Sequence, residues 1–113
     1  MRGAPEKTVR EVSLLLGLPS TAQLLLLVLA REGREFSIHH LRKKTGRSER
    51  ALRHHLKRLA GMGLIRRRVG RTERKRKACF YSFDVREFVG GVRRVLEERK
   101  ERLERILGEH LGP

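Results

Sequence analysis

At 113 residues, with 38% apolar and 36% charged side chains, the chain has the size of one domain, too apolar for disorder and too short for a large core. Its net charge of +15 points to a polyanionic partner, nucleic acid ahead of an anionic membrane. The single cysteine, Cys79, excludes an intrachain disulfide framework and a multi-cysteine zinc site, and the longest apolar run, residues 24–30, is too short to cross a bilayer.

The excess charge is localised. Residues 31–77 carry eighteen basic and four acidic side chains, whereas residues 84–113 carry seven of each. Solubility does not require such segregation; a docking surface does. Asparagine is absent and arginine abundant, which fits a thermophilic source, although a GC-rich genome produces the same bias. No signal-peptide pattern opens the chain and a lone cysteine suits a reducing compartment, so a cytoplasmic, nucleoid-associated location is expected.

Residues 5–16 predict a helix, with Pro5 at its first position and Val9, Val12, Leu15 and Leu16 on one stripe. Ser20 then suits the N-cap of a second helix over 21–31, apolar nearly all round and ended by Gly33. Glu35 and Phe36 form at most a very short strand. Ser37 caps a third helix over 38–44, with Ile38 and Leu41 inward, and Thr45, Gly46 and Arg47 make a tight turn. Ser48 caps a fourth helix over 49–62, whose inward positions Leu52, Leu56 and Leu59 follow the i, i+4, i+7 spacing. Two strands are predicted at 64–69 and 78–83, around a basic loop at 70–77; Cys79, Tyr81 and Phe83 share one face of the second. Cys79 reads as a small buried hydrophobe.

Asp84 and Glu87 form a capping box for a long helix over 85–109. Its apolar positions are Val85, Phe88, Val89, Val92, Val95, Leu96, Leu103, Ile106 and Leu107. At ~1.5 Å per residue the helix reaches nearly 40 Å, more than a small domain covers with its own core. The stripe therefore predicts a second copy as partner, through Val85, Phe88, Val89, Val92, Val95, Leu96, Leu103 and Ile106. The charged residues Arg93–Arg94 and 97–105 are expected to form i, i+4 pairs on a wet face. Gly90 and Gly91 weaken the helix, for close approach or a kink.

Two short helices joined by a tight turn, the second of them basic, describe a helix-turn-helix. The second helix presents Arg50, Arg53, His54 and Lys57 for base edges in the major groove; Arg47, Ser48 and Arg58 are candidates for phosphates. Arg66, Arg67 and Arg68 lead into the loop. Arg66, Arg68, Arg71, Arg74, Lys75, Arg76 and Lys77 are the candidate contacts of that hairpin, whose basic loop can follow the backbone or enter a minor groove. His39 and His40, like His54 and His55, are adjacent and point about 100° apart, a poor geometry for a shared metal. No nucleophile elbow or phosphate-loop motif appears, and Asp84, the only Asp, is accounted for as a cap, so no enzyme, cofactor or metal site is expected.

The stretch RSERALRHHLKRLAGMGLI, residues 47–65, is similar to the pattern of ArsR-type winged helix regulators, with the MarR and TrmB groups close. The matching residues are Ser48, Leu52, His55, Leu56, Leu59, Gly63, Leu64 and Ile65. RVGRTERKRKACFYSF resembles the wing, and LGLPSTAQLLLLVLA the helix before the motif, without the family's usual Asp-Pro-Thr-Arg start. The resemblance implies a mainly α fold: a winged helix-turn-helix with a three-helix core, a two-stranded β-wing and a long C-terminal dimerisation helix. It divides the chain into a DNA-binding domain, 1–83, and a dimerisation helix, 84–113. It also implies a homodimeric repressor of double-stranded DNA, released by a small-molecule effector. FSIHHLRKK lacks the paired cysteines of the metal-sensing members, and the Asp/His/Glu metal set of their last helix is missing too, which argues against metal sensing. Two other readings stay open: an architectural protein coating DNA with little sequence preference, and an RNA- or ribosome-associated adaptor, the latter weakened by the scarcity of stacking aromatics.

Overall fold

The computed structural model describes residues 6–112. Pro5 lies outside the described residues. Helix α1 spans Glu6–Leu15 and buries Val9 and Ser13, with the Ser13 hydroxyl donating to the Val9 carbonyl at 2.7 Å. The inward positions are therefore Val9, Ser13 and the post-helical Leu16, and Leu15 points away at 84% exposure. The expected stripe included Leu15; the i, i+4, i+7 phase set by Val9 turns it outward.

Helix α2, Ser20–Glu32, is the central core element, burying Ala22, Leu25, Leu26, Val28, Leu29 and Ala30. Pro19 rather than Ser20 occupies its N-cap, without a side-chain cap bond, and Ser20 is the first helical residue. Gly33 ends it in the left-handed region, its N–H donating to the Leu29 carbonyl. Strand β1, Phe36–Ser37, follows, then α3, Ile38–Thr45, and α4, Glu49–Gly61.

Strands β2, Arg66–Arg71, and β3, Lys77–Ser82, form the hairpin. The sheet has three strands in the order β1-β3-β2, all antiparallel, with Phe36 opposite Tyr81. The wing is thus not purely two-stranded: β1 bonds to the inner half of β3 and places the fully buried Phe36 ring in the core. Leu64 and Ile65, expected in the first strand, are buried before it begins; Leu64 N–H instead donates to the Leu59 carbonyl, closing α4.

Helix α5 runs from Val85 to His110. Asp84 accepts from the Glu87 N–H at 3.0 Å, and Phe83 meets Phe88 with ring centroids 5.0 Å apart, a hydrophobic staple across the cap. The reciprocal half of the capping box is missing, because the Glu87 carboxylate is held by Arg66. Gly91 is buried against the backbone of Met62 and Gly63, so of the two expected roles for the glycine pair, close approach belongs to Gly91. Phe88 and Val95 join the core cluster of α2 and α4, while every residue from Leu96 to Gly112 is exposed.

Candidate nucleic-acid interface

Helices α3 and α4 are joined by a turn built from local chemistry. Gly46 takes the left-handed conformation (φ 70°) and its N–H donates to the Arg42 carbonyl. The Thr45 hydroxyl donates to the Leu41 carbonyl at 2.7 Å and accepts from the Arg47 N–H at 3.2 Å. Ser48 caps α4 by accepting from the Ala51 N–H at 3.2 Å. These bonds fix the angle at which α4 leaves the body.

Burial of Leu52, Leu56 and Leu59 decides what α4 shows to solvent. Arg50, Arg53, His54 and Lys57 are all exposed, and the helical phase puts them on the side opposite the leucines. Arg53 makes only a loose i, i+4 pair with Glu49 at 3.7 Å, too exposed to hold it against a competing anion. Arg47 and Ser48 are exposed at the start of the helix. Arg58 lies off this face, on the flank toward α5. His55 turns inward to half-burial, and its ring meets His54 edge-on at 4.9 Å. Its pKa falls below the ordinary 6.5, first because burial penalises the cation, then because His54 and Arg58 repel it.

The strand period of two sorts the arginines of β2. Arg66 and Arg68 share one face and are both neutralised. Arg66 grips the Glu87 carboxylate at 2.8 Å, and Arg68 makes two 2.8 Å bonds to Glu35 while its guanidinium lies 4.7 Å over the Phe80 ring. The expectation that both are hairpin contacts for phosphate meets these partners: as placed, the two guanidiniums brace the root of the wing, and both side chains stay about half exposed. Arg67, which the sequence reading does not single out, points the other way, toward α4. It donates to the Cys79 sulfur at 3.0 Å, and its pKa is raised first by a hydrogen bond to the Tyr81 hydroxyl. No carboxylate lies within ion-pairing distance of it among the described residues. The signal was present in the alternation of three consecutive arginines; what was invisible was where Glu35 and Glu87 would fall.

Between α4 and the wing runs a groove of about 460 Å³, lined by Arg53, Lys57, Ala60, Arg67, Cys79 and Tyr81. Three cations face one channel, and no acid among the described residues lines it. Cys79 is half-buried in its wall. At the tip, the Thr72 N–H donates to the Arg76 carbonyl, Lys75 N–H to the Thr72 carbonyl, and Arg71 to the Lys75 carbonyl at 3.0 Å. Lys75 adopts φ 60°, a turn conformation that throws its side chain outward, and Arg71, Arg74, Arg76 and Lys77 are exposed around it.

Helix α5 presents a different surface. Phe88 and Val95, expected at a partner interface, are 4% and 8% exposed within the chain's own core, so they are corrected to core residues. Val85, Val89, Leu96, Leu103 and Ile106 remain 40% to 55% exposed, with Val92 half-buried. Their positions follow alternating steps of four and three, interrupted only at Arg99, which donates to the Leu16 carbonyl at 3.0 Å. Leu14 and Leu15 of α1 are exposed as well. The expected i, i+4 pairs are absent: no ion pair joins two α5 residues among the described ones.

A helix-turn-helix followed by a basic hairpin, its sheet closed by a short strand from before the motif, defines a winged helix fold. No protein-family model matches the chain, and no curated protein matches it in sequence. Solved structures do match in fold. One is a protein of Methanosarcina mazei Go1 named "Possible transcriptional regulator", with 15% identity and a TM-score of 0.67 over 92% of this chain and 89% of that one. Another is a protein of the thermoacidophilic archaeon Sulfolobus tokodaii, with 18% identity and a TM-score of 0.62 over 88% of this chain and 94% of that one. At such identities the likeness establishes the winged helix architecture. No helix among the described residues is long and apolar enough to cross a membrane.

Proposed function

We propose that the chain is a transcriptional regulator that binds double-stranded DNA sequence-specifically as a homodimer, acting as a repressor. The observation that carries this is the sorting of charge around α4. Apart from the loose Arg53–Glu49 pair, the cations of its outer face, Arg67 across the groove and the wing tip have no carboxylate partner among the described residues, while Arg66 and Arg68 are turned onto carboxylates. Helix α4 enters the major groove with Arg50, Arg53, His54 and Lys57 at base edges. The channel between α4 and the wing takes the sugar-phosphate strand bordering that groove, with Arg67 and Lys57 on opposite sides of it. Arg71, Arg74, Lys75, Arg76 and Lys77 follow the backbone beyond. The name of the Methanosarcina mazei structure agrees with this reading, as does the ArsR-type likeness of residues 47–65.

Residues 1–83 serve as the DNA-binding unit and 84–113 as the dimerisation helix. The exposed line Val85, Val89, Leu96, Leu103 and Ile106, with Leu14 and Leu15 exposed on α1, is apolar surface of the kind that a partner helix covers. Pairing through it gives a two-fold dimer whose recognition helices address half-sites about 34 Å apart.

The test is a mobility-shift titration across potassium chloride concentrations, with operator candidates selected from random duplexes. A selected palindrome bound at least ~10³-fold tighter than random duplex is the expected result. Equal affinity for both sinks the sequence-specific reading in favour of DNA coating, and preference for structured RNA sinks it in favour of an adaptor.

A further inference from the structure

We propose that a second cationic surface, between the C-terminal half of α4 and α5, grips DNA backbone phosphates in the spacer between the two half-sites; this rests on the dimeric DNA-binding reading above. The surface is an open groove of about 500 Å³, floored by Met62 and Val95. Arg58 lines it from α4, and Arg99, Arg102 and Arg105 line it from α5. Glu98 is the only carboxylate along it among the described residues. Arg99 is occupied by the Leu16 carbonyl, which ties α5 to the end of α1. Arg58, Arg102 and Arg105 have no ion-pair partner among the described residues.

Bulk charge does not explain this cluster. Residues 96–110 carry four basic and five acidic side chains, so the segment is slightly acidic overall. At about 100° per residue, Arg102 and Arg105 fall on the side that faces α4, while Glu97 and Glu104 fall on the opposite side. The spacings Glu98–Arg102 and Glu101–Arg105 run in the favourable i, i+4 direction, yet neither pair forms. Arginines withheld from available partners and gathered at one groove are a binding surface.

The position of the groove selects its occupant. Helix α4 has two flanks: the wing closes one, beside Arg53 and Lys57, and α5 closes the other, beside Arg58. Dimerisation through α5 turns the second flank toward the partner half of the operator. Arg58 stands eight residues beyond Arg50, or about 12 Å along the helix, comparable to the width of the major groove, so it reaches the bordering strand. The groove is open, with an apolar floor at Met62 and Val95 and its cations spread along the rim from both helices. That shape suits a polyanion strand.

The double substitution Arg102→Gln, Arg105→Gln tests the assignment, because both side chains are exposed and neither supports the fold. Affinity for the selected operator is measured from 50 to 300 mM potassium chloride, with dimer mass followed by light scattering. The slope of log K against log salt is expected to fall by about 1.8 per protomer, ~0.9 for each lost phosphate contact, with base preference and dimer mass unchanged. Neutral methylphosphonates in the spacer should weaken the wild type more than the variant, which keeps only Arg58 free at the groove. An unchanged slope, a dissociated dimer, or indifference of the wild type to spacer methylphosphonates overturns the proposal while leaving the regulator reading intact. So does an unchanged slope with orthophosphate bound by the wild type alone, which would make the groove a small-dianion site. A wild type that binds no duplex ends both readings.

Discussion

Gly90 and Gly91 are neighbours in α5, and alanine at the two positions is expected to act with opposite sign. A Cβ built on Gly90 meets nothing within 4 Å. Alanine there gains about 0.5–1 kcal/mol, because glycine in an exposed helix interior is that much worse. A Cβ on Gly91 lands 2.6 Å from the Gly63 carbonyl carbon and 2.9 Å from the Met62 carbonyl oxygen. Both obstacles are backbone at the end of α4, so no side chain can rotate to make room. Helix α5 must retreat by the better part of an ångström, loosening Phe88 and Val95 in the core they share with α4. Overpacking costs about 1–3 kcal/mol, and a clash with backbone that cannot rotate away belongs to the upper part of that range, about 2–3 kcal/mol, so a net loss of about 1–2 kcal/mol remains after the propensity gain. With an unfolding entropy of ~2.1 cal/mol/K per residue, one kcal/mol moves the Tm of a 113-residue chain by about 4 °C. Circular dichroism melts at matched protein concentration should therefore show Gly90→Ala about 2–4 °C above wild type and Gly91→Ala about 4–8 °C below it. Two shifts of the same sign would refute the argument that backbone contact at Gly91 docks α5.

Glu35→Gln should tighten DNA binding and steepen its salt dependence. The Glu35–Arg68 pair is half-exposed on both sides, so it contributes little to the fold, while its loss frees a cation on the wing. Weaker binding at unchanged Tm would show instead that the pair sets the angle of the wing. Leu96→Glu with Leu103→Glu should give a folded monomer by light scattering, since both side chains are about half exposed in one chain and meet only in a dimer; a dimer that persists excludes the α5 seam. Acid should weaken the fold through His55. Its folded pKa lies below its ordinary value of 6.5, so the stability it supports is full above pH 6.5 and is lost as pH falls through the folded value. Urea titrations at pH 7 and pH 5 should show this loss for the wild type and a smaller one for His55→Gln.

Legibility in the sequence followed the range of the interaction responsible. The caps at Ser37, Ser48 and Asp84 and the glycine ends at Gly33 and Gly46 are set within five residues, and they were readable as local chemistry. The leucine spacing of α4 likewise settled its inward face. Less was readable wherever two segments compete for one group. Glu87 was assigned to its own cap, but Arg66, twenty-one residues earlier, takes the carboxylate. Arg68 is withdrawn from the candidate interface by Glu35, thirty-three residues away. The apolar stripe of α5 showed that the helix needs partners without dividing them between its own core and another chain. That division appears only when Gly91 docks on Gly63, which carries Phe88 and Val95 inward and leaves Leu96, Leu103 and Ile106 outside.

The same long-range contacts make the interface selective rather than merely basic. If all three arginines of β2 faced solvent, the wing would be a uniformly cationic ribbon, able to lie on any polyanion in several orientations. Carboxylates at Glu35 and Glu87 silence the outer face of its root, leaving Arg67 on the inner face opposite Arg53 and Lys57. In the docking proposed above, a strand of phosphates gains most by entering between α4 and the wing, a placement that also brings α4 to the major groove with Arg50 and His54 toward base edges. On this argument the acids near the wing determine orientation, and their removal should raise affinity for random duplex more than for the selected operator.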